Sequence, residues 1–154
     1  MHDQLIKDFY AAFNKGDYPF MQQAYHPKAT FYDPVFQELN ASKVKAMWQM
    51  LLTASKDLRV ECSEINTNNA SGNCRWDAWY TFSKTGRKVH NIVHAKFQFE
   101  HGKIIRHEDQ FDLWRWSRQA LGPSGLFLGW SDIVQGKVRA TAKASLNKIL
   151  AANK

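Results

Sequence analysis

Cysteine is scarce in this sequence, with only Cys62 and Cys74 in 154 residues. Two thiols at that spacing make neither a disulfide framework nor a zinc-ligand pattern. They flank the turn Asn68–Asn73, and a hairpin about that turn sets Cys74 opposite roughly residue 67, so two free thiols are expected. There is no internal repeat, no low-complexity linker, no basic leader before an apolar run, and no stretch of about 18 uninterrupted apolar residues. Neither a secretory signal nor a membrane span is expected, and the expected location is cytoplasmic. Acidic residues all but run out past residue 114. Residues 1–114 carry 14 Lys and Arg against 13 Asp and Glu, whereas residues 115–154 carry 7 against Asp132 alone. Nearly all of the +7 net charge therefore lies in the tail, and any attraction to nucleic acid or an anionic surface belongs there.

What is present is globular: 44% hydrophobic residues, enough at this length for one domain with a core of its own. Leu5, Ile6, Phe9 and Phe13 fall at helical spacing before Gly16. Asp17 can cap a second helix, with Pro19 in its first turn, ending at His26-Pro27. An extended piece, Ala29-Thr30-Phe31-Tyr32-Asp33-Pro34, follows, and the proline holds Asp33 out of the helical region. Ser42 can cap a third helix with the stripe Val44, Met47, Trp48, Leu51 and Leu52. Strands are expected over 58–67 and 74–83.

The most informative stretch is the hairpin Gly86–Trp114. Lys88–Phe99 and Ile104–Trp114 read as two long strands about a turn at Glu100–Lys103. Alternation puts His90, Ile92 and His94 on one face of the first, and Ile105, His107, Asp109, Phe111 and Leu113 on one face of the second. Titratable groups among large apolar ones point to a pocket wall. Beyond it, Arg115–Leu121 looks helical, Ser124–Trp130 is an apolar link, and Ser131 can cap a last, basic amphipathic helix. Val134, Val138, Ala142, Leu146, Ile149 and Leu150 line one side of that helix. The fold class is α+β, divided into residues 1–114 and a helical extension, 115–154.

The run Gly16-Asp17, then Ala29-Thr30-Phe31-Tyr32-Asp33-Pro34, then a capped helix and a sheet with a Gly102 hairpin resembles ketosteroid isomerase and the SnoaL-like members of the nuclear transport factor 2-like superfamily. The resemblance covers residues 2–114. It implies a cone, in which a bent antiparallel sheet wraps a long helix and leaves an apolar cavity at the open end, and it implies a homodimer. It puts Asp33 in the place of the base that moves a proton α to a carbonyl. Phe9 stands where the isomerases carry an oxyanion-binding tyrosine, with Tyr10 one position off, and His94 stands where they carry a protonated aspartate. The Arg-x-Asp pair of the cone's epoxide hydrolases has no counterpart among His90, Ile92 and His94. An aspartate with two histidines is more similar to scytalone dehydratase. The stretch from Phe111 to Trp130 resembles a bacterial branch of SnoaL-like proteins.

The expected site is therefore a cavity for a small apolar molecule, with Asp33, His94, His107 and Asp109 as acid–base groups. Phe9, Tyr10, Phe13, Trp48, His90, Ile92 and Phe111 would form its wall. Isomerisation, dehydration or cyclisation would follow. Asp33 has a second reading, an Asp-Pro turn whose carboxylate accepts backbone N–H bonds. His90, His94, His107, Asp33 and Asp109 could also gather a metal, since imidazole and carboxylate suit zinc or iron, but no tight histidine pair is present and the resemblance implies a mostly metal-free family, so no metal or other cofactor is expected. The alternative to catalysis is a filled cone that serves as a binding or assembly module, its basic last helix contacting a partner.

Overall fold

Ile6, Phe9, Tyr10 and Phe13 recur on one side of α1 (His2–Lys15), and that side is buried. Gly16 ends the helix at φ 75°, a left-handed conformation that costs glycine little. These facts come from a computed structural model that describes residues 2–123 and 132–153. Asp17 caps α2 (Tyr18–Gln23), accepting from the Phe20 amide at 3.2 Å. That helix stops earlier than its sequence suggests. His26-Pro27 lies inside β1 (Tyr25–Tyr32), which pairs in parallel with β6 (Lys103–Gln110) and whose register shifts between Tyr25 and Thr30.

β2 (Leu39–Asn40) leads into α3 (Ala41–Ala54). Its N-cap is Asn40 rather than Ser42, since Asn40 Oδ1 accepts from both the Lys43 amide and the Ser42 hydroxyl. Val44, Met47, Trp48 and Leu52 of the stripe are buried. β3 (Arg59–Thr67), β4 (Ser71–Phe82) and β5 (Arg87–Glu100) complete a six-stranded sheet in the order β2-β1-β6-β5-β4-β3, antiparallel except at β1–β6. The β5–β6 connection turns on His101 and Gly102, both at positive φ, as a two-residue hairpin demands. Register shifts between Ser63 and Asn66 and between Gln98 and Phe99 bend the sheet, which remains open. The first shift places Cys74 across from the Glu64–Ile65 irregularity rather than residue 67, and both thiols are free.

The faces of β5 differ from the sequence reading. Val89, Asn91, Val93, Ala95, Phe97 and Phe99 point inward, whereas His90, Ile92 and His94 point outward. Strand β6 agrees with that reading at His107 and Asp109, which face inward, but the register shift brings Ile104 rather than Ile105 into the core.

α4 (Leu113–Leu121) begins earlier than Arg115, capped by the Asp112 carboxylate. It runs beside β5 where β6 has ended, and the Gln119 amide replaces the missing strand. Its Oε1 accepts from the His90 amide at 2.7 Å, and its Nε2 donates to the His90 carbonyl at 3.1 Å. The expected Ser124–Trp130 link and the Ser131 cap lie outside the described residues. In α5 (Asp132–Ala152), Leu146 is buried, and Val138, Ala142, Ile149 and Leu150 pack on the core. Two of the basic residues face the body of the protein: Arg139 Nε donates to the Pro34 carbonyl at 2.9 Å, and Lys143 Nζ to Gln37 Oε1 at 2.8 Å. Among the described residues, no helix is long and apolar enough to cross a membrane.

Candidate functional site

The bent sheet, α1 and α3 enclose a cavity of about 570 Å³, and α5 supplies one side of it. Phe13, Met47, Trp48, Leu51, Trp76, Ala78 and Phe111 form apolar walls, with Val134, Val138 and Ala142 from α5. Such a volume suits a small organic molecule. Leu51, although half-exposed on its helix, is turned into this space. The polar groups on the wall include Asp33, Tyr80, Asn91 and Asp109.

Asp33 follows β1 directly, and its side chain is only 8% exposed. Its Oδ1 accepts from the Val35 and Phe36 amides at 2.9 and 2.6 Å, so the Asp-Pro turn predicted from the sequence is real. Among the described residues, no donor bonds Oδ2. Burial pushes this carboxyl up to about 7, against the lowering effect of the Phe36 amide bond, and the neighbouring Asp109 raises it further. The two readings of Asp33 are compatible, because one oxygen anchors the turn while the other remains available to a ligand.

Asp109 is joined to a buried chain of hydrogen bonds. Trp48 Nε1 can only donate, and it donates to the Tyr25 hydroxyl at 2.8 Å. The same hydroxyl lies 2.8 Å from His107 Nδ1. A carboxylate can only accept, so His107 Nε2 carries a hydrogen and donates it to Asp109 Oδ1 at 2.9 Å, which in the neutral ring leaves Nδ1 to accept the Tyr25 hydroxyl. Trp76 Nε1 donates to the same oxygen at 3.3 Å. His107 is fully buried behind Asp109, ringed by Phe9, Phe31 and Phe97, and does not line the cavity.

The structure thus brings Asp33, Asp109, Phe13, Trp48 and Phe111 together on the cavity wall and sets His107 one bond behind. Phe9 packs beneath the wall, against Tyr25, Trp48 and His107. Tyr10 is buried beside Trp76 and Phe97, and its hydroxyl has no hydrogen-bond partner among the described residues. His90, Ile92 and His94 lie on the outer face of the sheet, which corrects their assignment to the cavity. His94 is exposed. His90 stacks on Trp79 and bonds Asp77 Oδ2 at 2.7 Å. The Arg75 guanidinium, with a smaller contribution from His90, holds the Asp77 carboxyl at about 2, a salt-bridge cluster outside the cavity.

Asn91 and Tyr80 are among the polar groups on the wall that were not foreseen. Asn91 occupies the inward position between Val89 and Val93. The Tyr80 hydroxyl accepts from Trp116 Nε1 of α4 at 2.7 Å, which leaves its own O–H to donate, and burial raises its pKa. Alternation from Trp76 and Ala78 could have placed Tyr80 inward, whereas its Trp116 partner is a tertiary contact. Among the described residues, no three of His, Cys, Asp and Glu gather in a way that would hold a metal ion.

The sequence matches the SnoaL-like domain family over residues 6–107. No functionally curated protein matches it. Solved structures share the fold at low identity. IdmH from Streptomyces antibioticus, a candidate polyketide cyclase, is 20% identical with a TM-score of 0.66, covering 76% of this chain and 96% of its own. An LEH-like epoxide hydrolase from M. tuberculosis is 15% identical with a TM-score of 0.65, covering 80% and 90%. A protein of ketosteroid isomerase-like fold from Catenulispora acidiphila, crystallised in complex with trimethylamine, is 10% identical with a TM-score of 0.67, covering 77% and 93%.

Proposed function

The chain belongs to the SnoaL-like domain family, and from that footing we propose that its cone is an acid–base site acting on a small apolar carbonyl or hydroxylated compound. One observation carries the reading. Asp33 is buried, its carboxyl is pushed up to about 7, and one of its oxygens has no donor among the described residues in an apolar cavity of about 570 Å³. A carboxyl that titrates near neutrality is populated as both base and acid, the condition under which proton transfer is most efficient. Asp33 takes the proton from a carbon α to the carbonyl, and the electron pair moves onto oxygen. The Tyr80 O–H, with Asn91 beside it on the wall, donates to that oxygen, in place of the histidines first expected. Asp109, held by His107 and Trp76, is the second carboxyl facing the substrate. Return of the proton from Asp33 to another carbon is isomerisation, its delivery to a β-hydroxyl that leaves as water is dehydration, and attack of the enolate carbon on a second carbonyl, whose alkoxide takes that proton, is cyclisation.

The test is deuterium exchange. Cyclic enones and 1,3-diketones incubated with the protein in heavy water are expected to take up deuterium at the α carbon. Asp33→Asn is expected to slow uptake by roughly 10²- to 10⁴-fold without unfolding the chain. Uptake at the wild-type rate in that variant would remove Asp33 as the base. We further propose a homodimer through the outer sheet face that carries Trp79, Ile92 and His94. Sedimentation at monomer mass across micromolar concentrations would refute it.

A further inference from the structure

The charge on the cavity wall changes sign from its depth to its rim. Asp33 and Asp109 are buried, whereas the two cationic groups on the same wall among the described residues, Lys84 and Lys137, are exposed. Lys84 sits in the turn between β4 and β5, and Lys137 on α5, so they reach the cavity from different elements. Among the described residues, neither lysine has a carboxylate partner. Most of the lining they share with the buried carboxyls is apolar, including Phe111, Trp116, Val134 and Val138.

We propose that the ligand is an amphiphilic anion: an apolar ring system carrying a neutral carbonyl toward Asp33 and a carboxylate at the mouth, between Lys84 and Lys137. This rests on the cone being the ligand cavity. A deep anionic group would meet Asp109 and the ionised fraction of Asp33, and would lose its hydration among aromatic side chains. At the rim, the same group keeps part of its water and gains two ammonium donors. The polarity of the cavity therefore sets the orientation of the ligand as well as its class, and delivers the carbonyl end to the proton-transfer groups.

Acetylnaphthoate and its methyl ester have nearly the same shape and differ in charge. Titration of the protein with each, followed by ligand fluorescence, is expected to show the acid binding about tenfold more tightly at low salt, an advantage that shrinks as salt is added. In the double variant Lys84→Met, Lys137→Met, whose melting temperature should match that of the wild type, the two affinities are expected to converge while that of the ester stays the same. Equal affinities in the wild type, or a preference that survives in the double variant, would overturn the anionic class and leave the acid–base site standing. Binding of neither compound would overturn the cavity reading and this inference with it. Loss of deuterium exchange in Asp33→Asn reports on the acid–base reading alone.

Discussion

His107 bridges two buried groups from different parts of the chain, donating to Asp109 Oδ1 at 2.9 Å and accepting the Tyr25 hydroxyl at 2.8 Å. Replacing the ring by an apolar side chain leaves the buried Tyr25 O–H without its acceptor and Asp109 Oδ1 with only the longer Trp76 bond, which costs more than the bonds themselves contributed. His107→Leu is expected to lose about 3 kcal/mol in urea unfolding. A loss under about 1 kcal/mol would mean that water or a neighbour takes over both bonds.

Asp33 has a signature in the pH dependence of stability. Its carboxyl titrates at about 7 in the fold against 3.8 as a free side chain, so the native state holds the proton more tightly than the unfolded chain. The stabilisation from this group is complete below the unfolded value and is lost as pH rises through about 7. Relative to Asp33→Asn, the wild type is expected to lose up to about 4 kcal/mol between about pH 4 and pH 8. A constant difference between the two proteins across that range would show that Asp33 is not desolvated.

Leu146 tests how firmly α5 is attached. It is 2% exposed, far from the hairpin in sequence, and belongs to the same core as Trp48 and Phe31. Leu146→Ala is expected to cost about 2–4 kcal/mol, read by thermal or chemical unfolding. Deletion of residues 131–154 should lower the melting temperature further and weaken binding of any cavity ligand. An unchanged melting temperature would mean that the helix is undocked in solution.

Tyr10 invites a change in the other direction. Its hydroxyl is buried without a partner among the described residues, and desolvation raises its pKa well above the ordinary tyrosine value. Tyr10→Phe keeps the ring contacts with Phe9, Phe13 and Trp76 and removes the unsatisfied group. It should stabilise the protein by about 1 kcal/mol. Destabilisation of similar size would reveal a partner for the hydroxyl, such as a bound water.

The helical stripes, the Gly16 and Gly102 punctuation and the Asp33-Pro34 bend were legible because each depends on residues close in sequence. The face of β5 was misread for a definable reason. From Lys88 to His94 both faces carry polar residues, and a shift of one position exchanges one face for the other. The later residues Ala95, Phe97 and Phe99 select the odd-numbered face as the buried one, and following them back to Asn91 would have replaced His90 and His94. The parallel pairing of β1 and β6 was hidden by Pro27, which in a local reading marks a stop. Nothing near Tyr80 in the sequence announces Trp116, and amphipathicity alone does not show which surface a helix such as α5 will cover.

The two buried carboxyls and part of the surface that faces them are encoded far apart. Asp33 and Asp109 stand at the ends of β1 and β6, while Val134, Val138 and Ala142 reach the same space from the last helix. Insertion, recombination or gradual drift confined to the 3′ end of the gene can therefore reshape one side of the cavity and leave both carboxyls in place. Part of the cavity's shape is thus written on a different stretch of the reading frame from its two buried carboxyls, and changes there remodel the space without touching Asp33 or Asp109.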